Sequence, residues 1–339
     1  MVCRVSSRNR QLLIGIDCQR HRLQGGLGQN ECRVTMDVED RRALEKLDAR
    51  LRTMLPPEYQ DCYQEMQPVP MRSAGLKYGA DGKVAWNEIW GSFCDLAMAG
   101  GPPHKGMLLA AGTPAAIDEN PACHAEVAAE IRRGVELVTE LPAELSPTPG
   151  WVRVTCLNET MARWLQCAIV MENVAVRREH HMLDLPAAPS FQLEREIKNV
   201  VTVIAKTCHY WLGHMPRTQQ RAIAALFKTM DDESPALEPT FPDDDMAATS
   251  LALAGIGRVQ RETGLAPSTR RYAGWLGVEC ESPRLAIWMM RALVVSNLLS
   301  RREGTVLFVP LNMLSDPAGD RVATSLARIH RLAAAAGVR

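Results

Sequence analysis

The sequence contains no C-x-x-C pair, no excess of either charge and no long hydrophobic segment. Its ten cysteines are scattered, and a chain of 339 residues needs no disulfides to hold a core, so we expect reduced thiols in a cytoplasmic protein. Basic and acidic residues each number 39, which gives no electrostatic attraction to nucleic acid. The longest apolar segment, 246–257, is shorter than the roughly 18–20 residues of a membrane-spanning helix. Partners of both classes are therefore excluded at this stage.

The motifs of several enzyme classes are also missing. The chain has no Walker phosphate loop, no G-x-S-x-G nucleophile elbow and no i, i+4 histidine pair for zinc. Cys208, His209 and His214 are close in sequence, but their spacing does not match a metal site. The sequence therefore predicts no metal site, and it indicates neither a cofactor, nor a reaction, nor an oligomeric state.

The first 35 residues differ in character from the rest, because six arginines face only two acidic residues and no helical periodicity is present. We expect a flexible tail, or residues that precede a natural start at Met36. Residues 36–115 are predicted to form an N-terminal helical extension. It contains a helix that Asp37 caps, a second helix over 83–99 and one extra strand over 107–111.

An internal repeat dominates the second half of the chain. Residues 150–186 align without a gap to residues 274–310, at an offset of 124, and fourteen of the 37 aligned positions are identical. Ordinary composition would give roughly two or three. We infer a duplicated unit of about 90 residues.

Each unit alternates short β-rich segments with longer helical ones, in the order helix, β, α, β, α. This order predicts an α/β fold with parallel pairing and right-handed crossovers. The apolar helices that carry Trp164 and Trp288 are expected to pack on each other, which would make an intrachain pseudo-dimer. The predicted domains are the first α/β unit over 116–230, an exposed acidic, proline-rich linker over 231–245 and the second α/β unit over 246–339.

One candidate binding site is the glycine-rich loop 100–106, where His104 and Lys105 supply a titratable group and a cation for an anion. Glycine followed by proline also ends helices, and this structural interpretation is favoured.

The ends of the equivalent strands form a second candidate site, because ligands of parallel sheets bind at the carboxyl edge. Cys156 and Asn158 lie at one end and Cys280 at the other. A small buried thiol that fills the end of a strand is the favoured alternative.

Polar residues that recur in both units form a third candidate site. Asn173 and Arg177 correspond to Asn297 and Arg301. They are interpreted either as a hydrogen-bond network across the pseudo-twofold axis, which is favoured, or as ligands of an anion. The arginines are placed in the last helical turn, where cations complement the helix dipole.

These features predict a protein that binds a small anionic metabolite at the strand ends or between the duplicated units, with or without catalysis. The alternative is a non-catalytic scaffold or interaction subunit built from the two repeats.

Overall fold

The chain alternates helices and short strands in a computed structural model that describes residues 37–61, 63, 75–88, 106–240 and 257–338. The helices are α1 (Val38–Met54), α2 (Pro114–Glu119), α3 (Pro121–Thr139), α4 (Glu159–Met171), α5 (Lys198–His209), α6 (Arg217–Glu233), α7 (Pro283–Val294) and α8 (Asp320–Ala335). The strands are β1 (Ala143–Leu145), β2 (Trp151–Thr155), β3 (Arg177–Glu179), β4 (Met182–Pro186), β5 (Trp275–Glu279), β6 (Arg301–Glu303) and β7 (Val306–Pro310). Residues 257–263 are also helical. The mixed helix and strand content agrees with the predicted α/β class.

Several predictions lie outside the described residues. They are the tail 1–35, most of the helix over 83–99, and the loop residues His104 and Lys105. All the described residues belong to one compact unit, and the predicted domain boundaries within it stay predictions.

All strand pairs in the described ranges are antiparallel, which corrects the predicted parallel pairing. The first sheet has the order β1-β2-β4-β3 and the second β5-β7-β6. A two-residue turn joins β3 to β4, with His180 at a φ of 53°, and Gly304 takes the same place before β7. Because β2 and β3 both pair with β4, they run in the same direction. The strand parallel to β2 is thus β3, whereas the predicted second strand of the unit, β4, is antiparallel to β2 and lies between β2 and β3. The predicted crossover between two paired parallel strands is therefore wrong.

The second sheet has the same arrangement as the first, at an offset of 124 residues. The elements β5, α7, β6 and β7 begin at the positions that correspond to β2, α4, β3 and β4. Trp151 and Trp275 each pair with a proline at the end of the neighbouring strand. The counterpart of β1 is a single bridge between Pro267 and Val278. The hydrogen bonds on both sides of Pro267 are kept, because the Ser268 N–H donates to Gly277 O at 2.9 Å and the Glu279 N–H donates to Ala266 O at 2.8 Å.

A short segment docks beside each unit. The Leu109 N–H donates to Asn173 O at 2.9 Å, and the Leu237 N–H donates to Asn297 O at the same distance. Each segment thus adds one parallel bridge to the turn that follows the central helix of the unit.

These bridges correct two predictions. The extra strand over 107–111 is reduced to the bridge at Leu109, and the second unit has its own equivalent. Residues 231–240 of the segment predicted as an exposed linker finish α6 and then pack on the second unit, with Leu237 fully buried. Backbone pairing, which composition does not reveal, holds this segment.

Two glycines explain how closely the docked segments approach. Gly150 has a φ of 87°, and a Cβ added there would lie 2.6 Å from Gly112 O. Gly274 has a φ of 74° and makes the corresponding contact with Thr240 O. Any larger residue would meet both an unfavourable φ and a backbone oxygen, so both units need glycine at this position.

The central helices α4 and α7 begin in the same way, because the side chains of Asn158 and Ser282 accept N–H bonds from the third helical residue. Both helices end before an asparagine in the left-handed region, Asn173 at 62° and Asn297 at 67°. Asparagine tolerates this conformation and stops a helix there. The Arg-Arg-Glu triplets are therefore the strands β3 and β6, which corrects their placement in the last helical turn.

The tryptophans of the two central helices lie in different surroundings. The Trp164 indole donates to Met54 O at 2.8 Å, and its ring centroid lies 5.6 Å from that of Trp211. Trp164 thus faces α1 and the end of α5, while Trp288 is half-buried in the core. Helix α1 also contacts α6, α7 and α8. The predicted pseudo-dimer packing through these helices is not confirmed.

Candidate functional site

A cleft of about 840 Å³, here called the strand-end cleft, opens where β2 ends. It lies between the turn from β2 to α4 and the start of α6. The residues that matter for its chemistry are Leu157, Asn158, Thr160, Arg217, Gln220 and Arg221. Its size is in the range of small-molecule pockets.

The first wall is the turn that leaves β2. The Cys156 N–H donates to His181 O at 2.9 Å, and Asn158 Oδ1 accepts the Met161 N–H at 2.9 Å. These bonds fix the backbone of the turn. Leu157, between them, is left 67% exposed at the rim.

The second wall continues from α5 through a turn of wider π-helix, Tyr210–His214. The chain then turns at Pro216 and begins α6. The Gln220 side chain donates to Trp211 O at 2.9 Å and to Met215 O at 3.0 Å, so α6 is tied back to the turn. Both walls are thus held by hydrogen bonds to the backbone.

The charge of the cleft is positive. Arg217 and Arg221 lie one turn apart on α6, and both are exposed. Among the residues that the structure describes, neither arginine has a hydrogen-bond or ion-pair partner, and none of the described lining residues is acidic. Arginine presents its donors in a fixed fork that suits carboxylates and phosphates. The exposed Leu157 and Leu212 add an apolar rim.

A histidine pair supports the same wall. His214 Nδ1 contacts a carboxylate oxygen of Glu58, and its Nε2 lies 2.9 Å from His209 Nε2. Because a carboxylate only accepts, His214 donates from Nδ1 to Glu58, and one of the two facing Nε2 atoms donates to the other. Burial, followed by the neighbouring His214, lowers the pKa of His209. Both nitrogens of His214 are engaged, so the pair supports the wall and supplies no free base.

The two strand-end thiols are buried. Burial raises the pKa of Cys156 to about 12 and that of Cys280, with help from Glu279 and Glu281, to about 12. Both are neutral at physiological pH and unsuited to nucleophilic attack. The carboxyl-edge argument that placed them in a site also fails, since the sheets are antiparallel.

The asparagine of the first unit that recurs in the second, Asn173, joins the two units. Asn173 Nδ2 donates to Arg302 O at 2.8 Å and to Gly106 O at 3.1 Å. Its Oδ1 accepts from Arg301 Nη1 at 3.1 Å. Asn173 and Arg301 are both buried, so this is a structural network between the repeats.

The polar pair of the second unit is arranged differently. Asn297 Oδ1 accepts from Arg163 at 2.6 Å, and its Nδ2 donates to Asp231 at 2.9 Å and to Ser234 O at 2.7 Å. The Arg177 guanidinium lies over the Trp151 ring, 5.4 Å from its centroid. The structure thus brings Asn173 to Arg301 and places Asn297 and Arg177 elsewhere.

Two features bear on the excluded classes of function. Within the described ranges, no three His, Cys, Asp or Glu residues lie close enough together to hold a metal ion. No described helix combines the length and apolar character needed to cross a bilayer.

The chain matches no family model, no curated protein and no solved structure. The geometry alone therefore carries the functional argument.

Of the predicted site residues that the structure describes, Asn158 alone lines the strand-end cleft. The sequence analysis missed Arg217 and Arg221, because a surface arginine pair at i, i+4 on an amphipathic helix is an ordinary pattern. A signal that could have drawn attention to them is Pro216. It marks the start of α6 directly after the segment that carries His209 and His214.

Proposed function

We propose that this protein binds a small metabolite with an anionic group and an apolar portion in the strand-end cleft. The observation that carries the proposal is that Arg217 and Arg221 have no hydrogen-bond or ion-pair partner within the described ranges, in a cleft whose described lining has no acidic residue. A carboxylate or phosphate would engage the arginines, while Leu157 and Leu212 would cover its apolar part.

The hydrogen-bonded walls favour a preformed site. Asn158 is used as a helix cap, and Gln220 ties α6 to the preceding turn, so neither must reorganise when a ligand enters. A preformed site loses less conformational entropy on binding.

We also propose that the two units are duplicated blocks that form an intrachain pseudo-dimer. The equal spacing of their elements supports this arrangement. So do the hydrogen bonds that Asn173 Nδ2 donates to Arg302 O of the second unit and that Asn297 Oδ1 accepts from Arg163 of the first. A cytoplasmic location is proposed on the basis of the free thiols Cys156 and Cys280.

A thermal-shift screen with carboxylated and phosphorylated metabolites tests the binding proposal. We expect at least one compound to raise the melting temperature of the protein, and R217A/R221A to abolish this rise while the unliganded melting temperature changes little. The matched control is R132A/R195A, which removes two exposed arginines outside the cleft.

Stabilisation that survives R217A/R221A would refute the proposed site. If no compound stabilises the protein and a protein partner co-purifies in constant ratio, the scaffold alternative gains support instead.

A further inference from the structure

A second, smaller pocket of about 230 Å³ lies where α1, α6 and α8 meet the end of α7. We call it the four-helix pocket. Its charged lining residues are Lys46, Arg50, Glu233, Arg321 and Arg328. It is separate from the strand-end cleft, with which it shares no lining residue.

The four-helix pocket has one carboxylate for four cations. Glu233 Oε1 lies 2.9 Å from Lys46 Nζ and 2.5 Å from Arg50 Nη2. Burial alone would raise the pKa of Glu233, but the hydrogen bonds from Lys46 and Arg50 outweigh it and lower that pKa. Glu233 is therefore ionised and is committed to these two cations.

Arg50 forms the rigid base of the pocket. Its side chain is only 10% exposed, and its Nη1 donates to Val295 O at 3.0 Å. The cation thus cannot turn away into water, and its charge stays beside the pocket.

The opposite wall carries two further cations, Arg321 and Arg328, of which Arg321 is also attracted by Asp316. Arg321 donates to Pro235 O, and burial lowers its pKa, which shows that its charged form is partly desolvated. No hydrogen bond or ion pair joins Arg328 to another residue in the described ranges. Ser234 and Ser325 also line the pocket and have hydroxyl groups that can donate. Cations held this close repel one another, and a multivalent anion would remove that cost.

We infer that the four-helix pocket binds a phosphate group, either as free phosphate or as part of a small phosphate monoester. The excess of three positive charges suits a dianion, and the pocket is compact enough for a phosphate with a short substituent. This site goes beyond the proposed function and does not depend on it.

Isothermal titration calorimetry with inorganic phosphate at constant ionic strength tests the inference. The titration uses the full chain carrying R217A/R221A, so that the strand-end cleft no longer contributes. We expect one phosphate per chain in this background, and R328A added to it should weaken binding at least about tenfold, the effect of losing a charge-assisted hydrogen bond.

The matched control is R331A in the same background. Arg331 lies three residues further along α8, pairs with Asp40 and does not line the pocket. We expect its phosphate affinity to stay within about twofold of the background, because it removes the same charge elsewhere. A phosphate affinity of R328K between those of R328A and the background would show that both the charge and the shape of the arginine side chain contribute to binding.

Glycerol phosphate, titrated in parallel, distinguishes the two sources of the group: tighter binding than inorganic phosphate indicates a monoester. The inference fails if the R217A/R221A protein binds no phosphate, or if R328A and R331A weaken binding equally. Either failure leaves the proposal for the strand-end cleft intact, because that proposal is tested by whether metabolite-induced thermal stabilisation of the wild-type protein is lost in R217A/R221A.

Discussion

The two units place an arginine at the same strand position and use it in different ways. Arg301 is fully buried among aromatic rings, with its guanidinium 4.0 Å from the Phe308 centroid, and it donates to Glu303 at 2.6 Å. Arg177 is half-buried and faces a single tryptophan. One copy of the strand thus anchors the core, while the other lies nearer the surface.

A cross-strand pair explains the difference. In the first sheet Arg153 lies opposite Asp184, and the two side chains form an ion pair at 2.8 Å. In the second sheet Gly277 lies opposite Phe308. A Cβ at Gly277 would lie only 2.9 Å from the Phe308 ring, so the glycine makes room for the ring that covers Arg301. The same backbone therefore carries an ion pair in one copy and a cation–aromatic core in the other.

Replacing each arginine by alanine should produce the largest difference in stability between the two units. R301A leaves Glu303 buried without its main partner, and we expect a loss of about 3–5 kcal/mol in the free energy of unfolding. R177A should cost less than about 1 kcal/mol. Urea unfolding measures both, and equal losses would show that the two strand positions are energetically equivalent.

The glycine pair should instead behave alike. We expect G150A and G274A each to lower the free energy of unfolding by about 1–3 kcal/mol, because alanine resists a positive φ and meets a backbone oxygen. Chemical denaturation checks both variants, with G304A, a glycine at positive φ with open space around it, as the control for φ alone. A loss in only one unit would break the equivalence of the docked segments.

Lowering the pH should reduce the stability of the protein through a buried carboxylate of the second unit, Glu303. Burial would raise the pKa of Glu303, but hydrogen bonds from Arg301, Tyr272 and Arg270 outweigh it and lower that pKa below 4.5. A lowered folded-state pKa stabilises the protein above the unfolded value, and this contribution is lost as the pH falls through the folded one. Unfolding free energies between pH 7 and pH 3 should therefore depend on pH less in E303Q than in the wild type. The control is E179Q, which removes the carboxylate at the corresponding, exposed position of the first sheet.

The smallest expected effect concerns the thiols. Cys156 and Cys280 should both resist iodoacetamide at pH 8 in the folded protein, because each is buried with a pKa of about 12. Cys123 is exposed and should be alkylated. Peptide mass spectrometry reads out all three, and labelling of one strand-end thiol alone would mark a chemical difference between the units.

Much of the secondary structure could be predicted from local patterns. Helix α1 begins after Asp37, as its capping position indicates, and the repeat placed β2 and β5 correctly. The identical Arg-Arg-Glu triplets can be recognised in the sequence, but the sequence analysis places them at helix ends. The reason is that no local pattern shows that Asn173 and Asn297 adopt a left-handed conformation and end the helices earlier. The side chains of these two asparagines donate to the carbonyl groups of Gly106 and Ser234, which are distant in the sequence.

The candidate site was less predictable than the fold. Arg217 and Arg221 are ordinary surface arginines until α6 is placed beside the end of β2, and the cations of the four-helix pocket come from α1 and α8, at opposite ends of the described chain. Charge alone does not show which cations will lie close together.

The recurrence of the unit, its glycines and its helix caps follows from the order of the amino acids, since each depends on neighbours within a few residues or on internal identity. The strand order, the burial of Arg301 and the two positively charged cavities depend on packing. These features arise only when segments that are distant along the chain pack together, and no local pattern of residues determines the free energy of that packing.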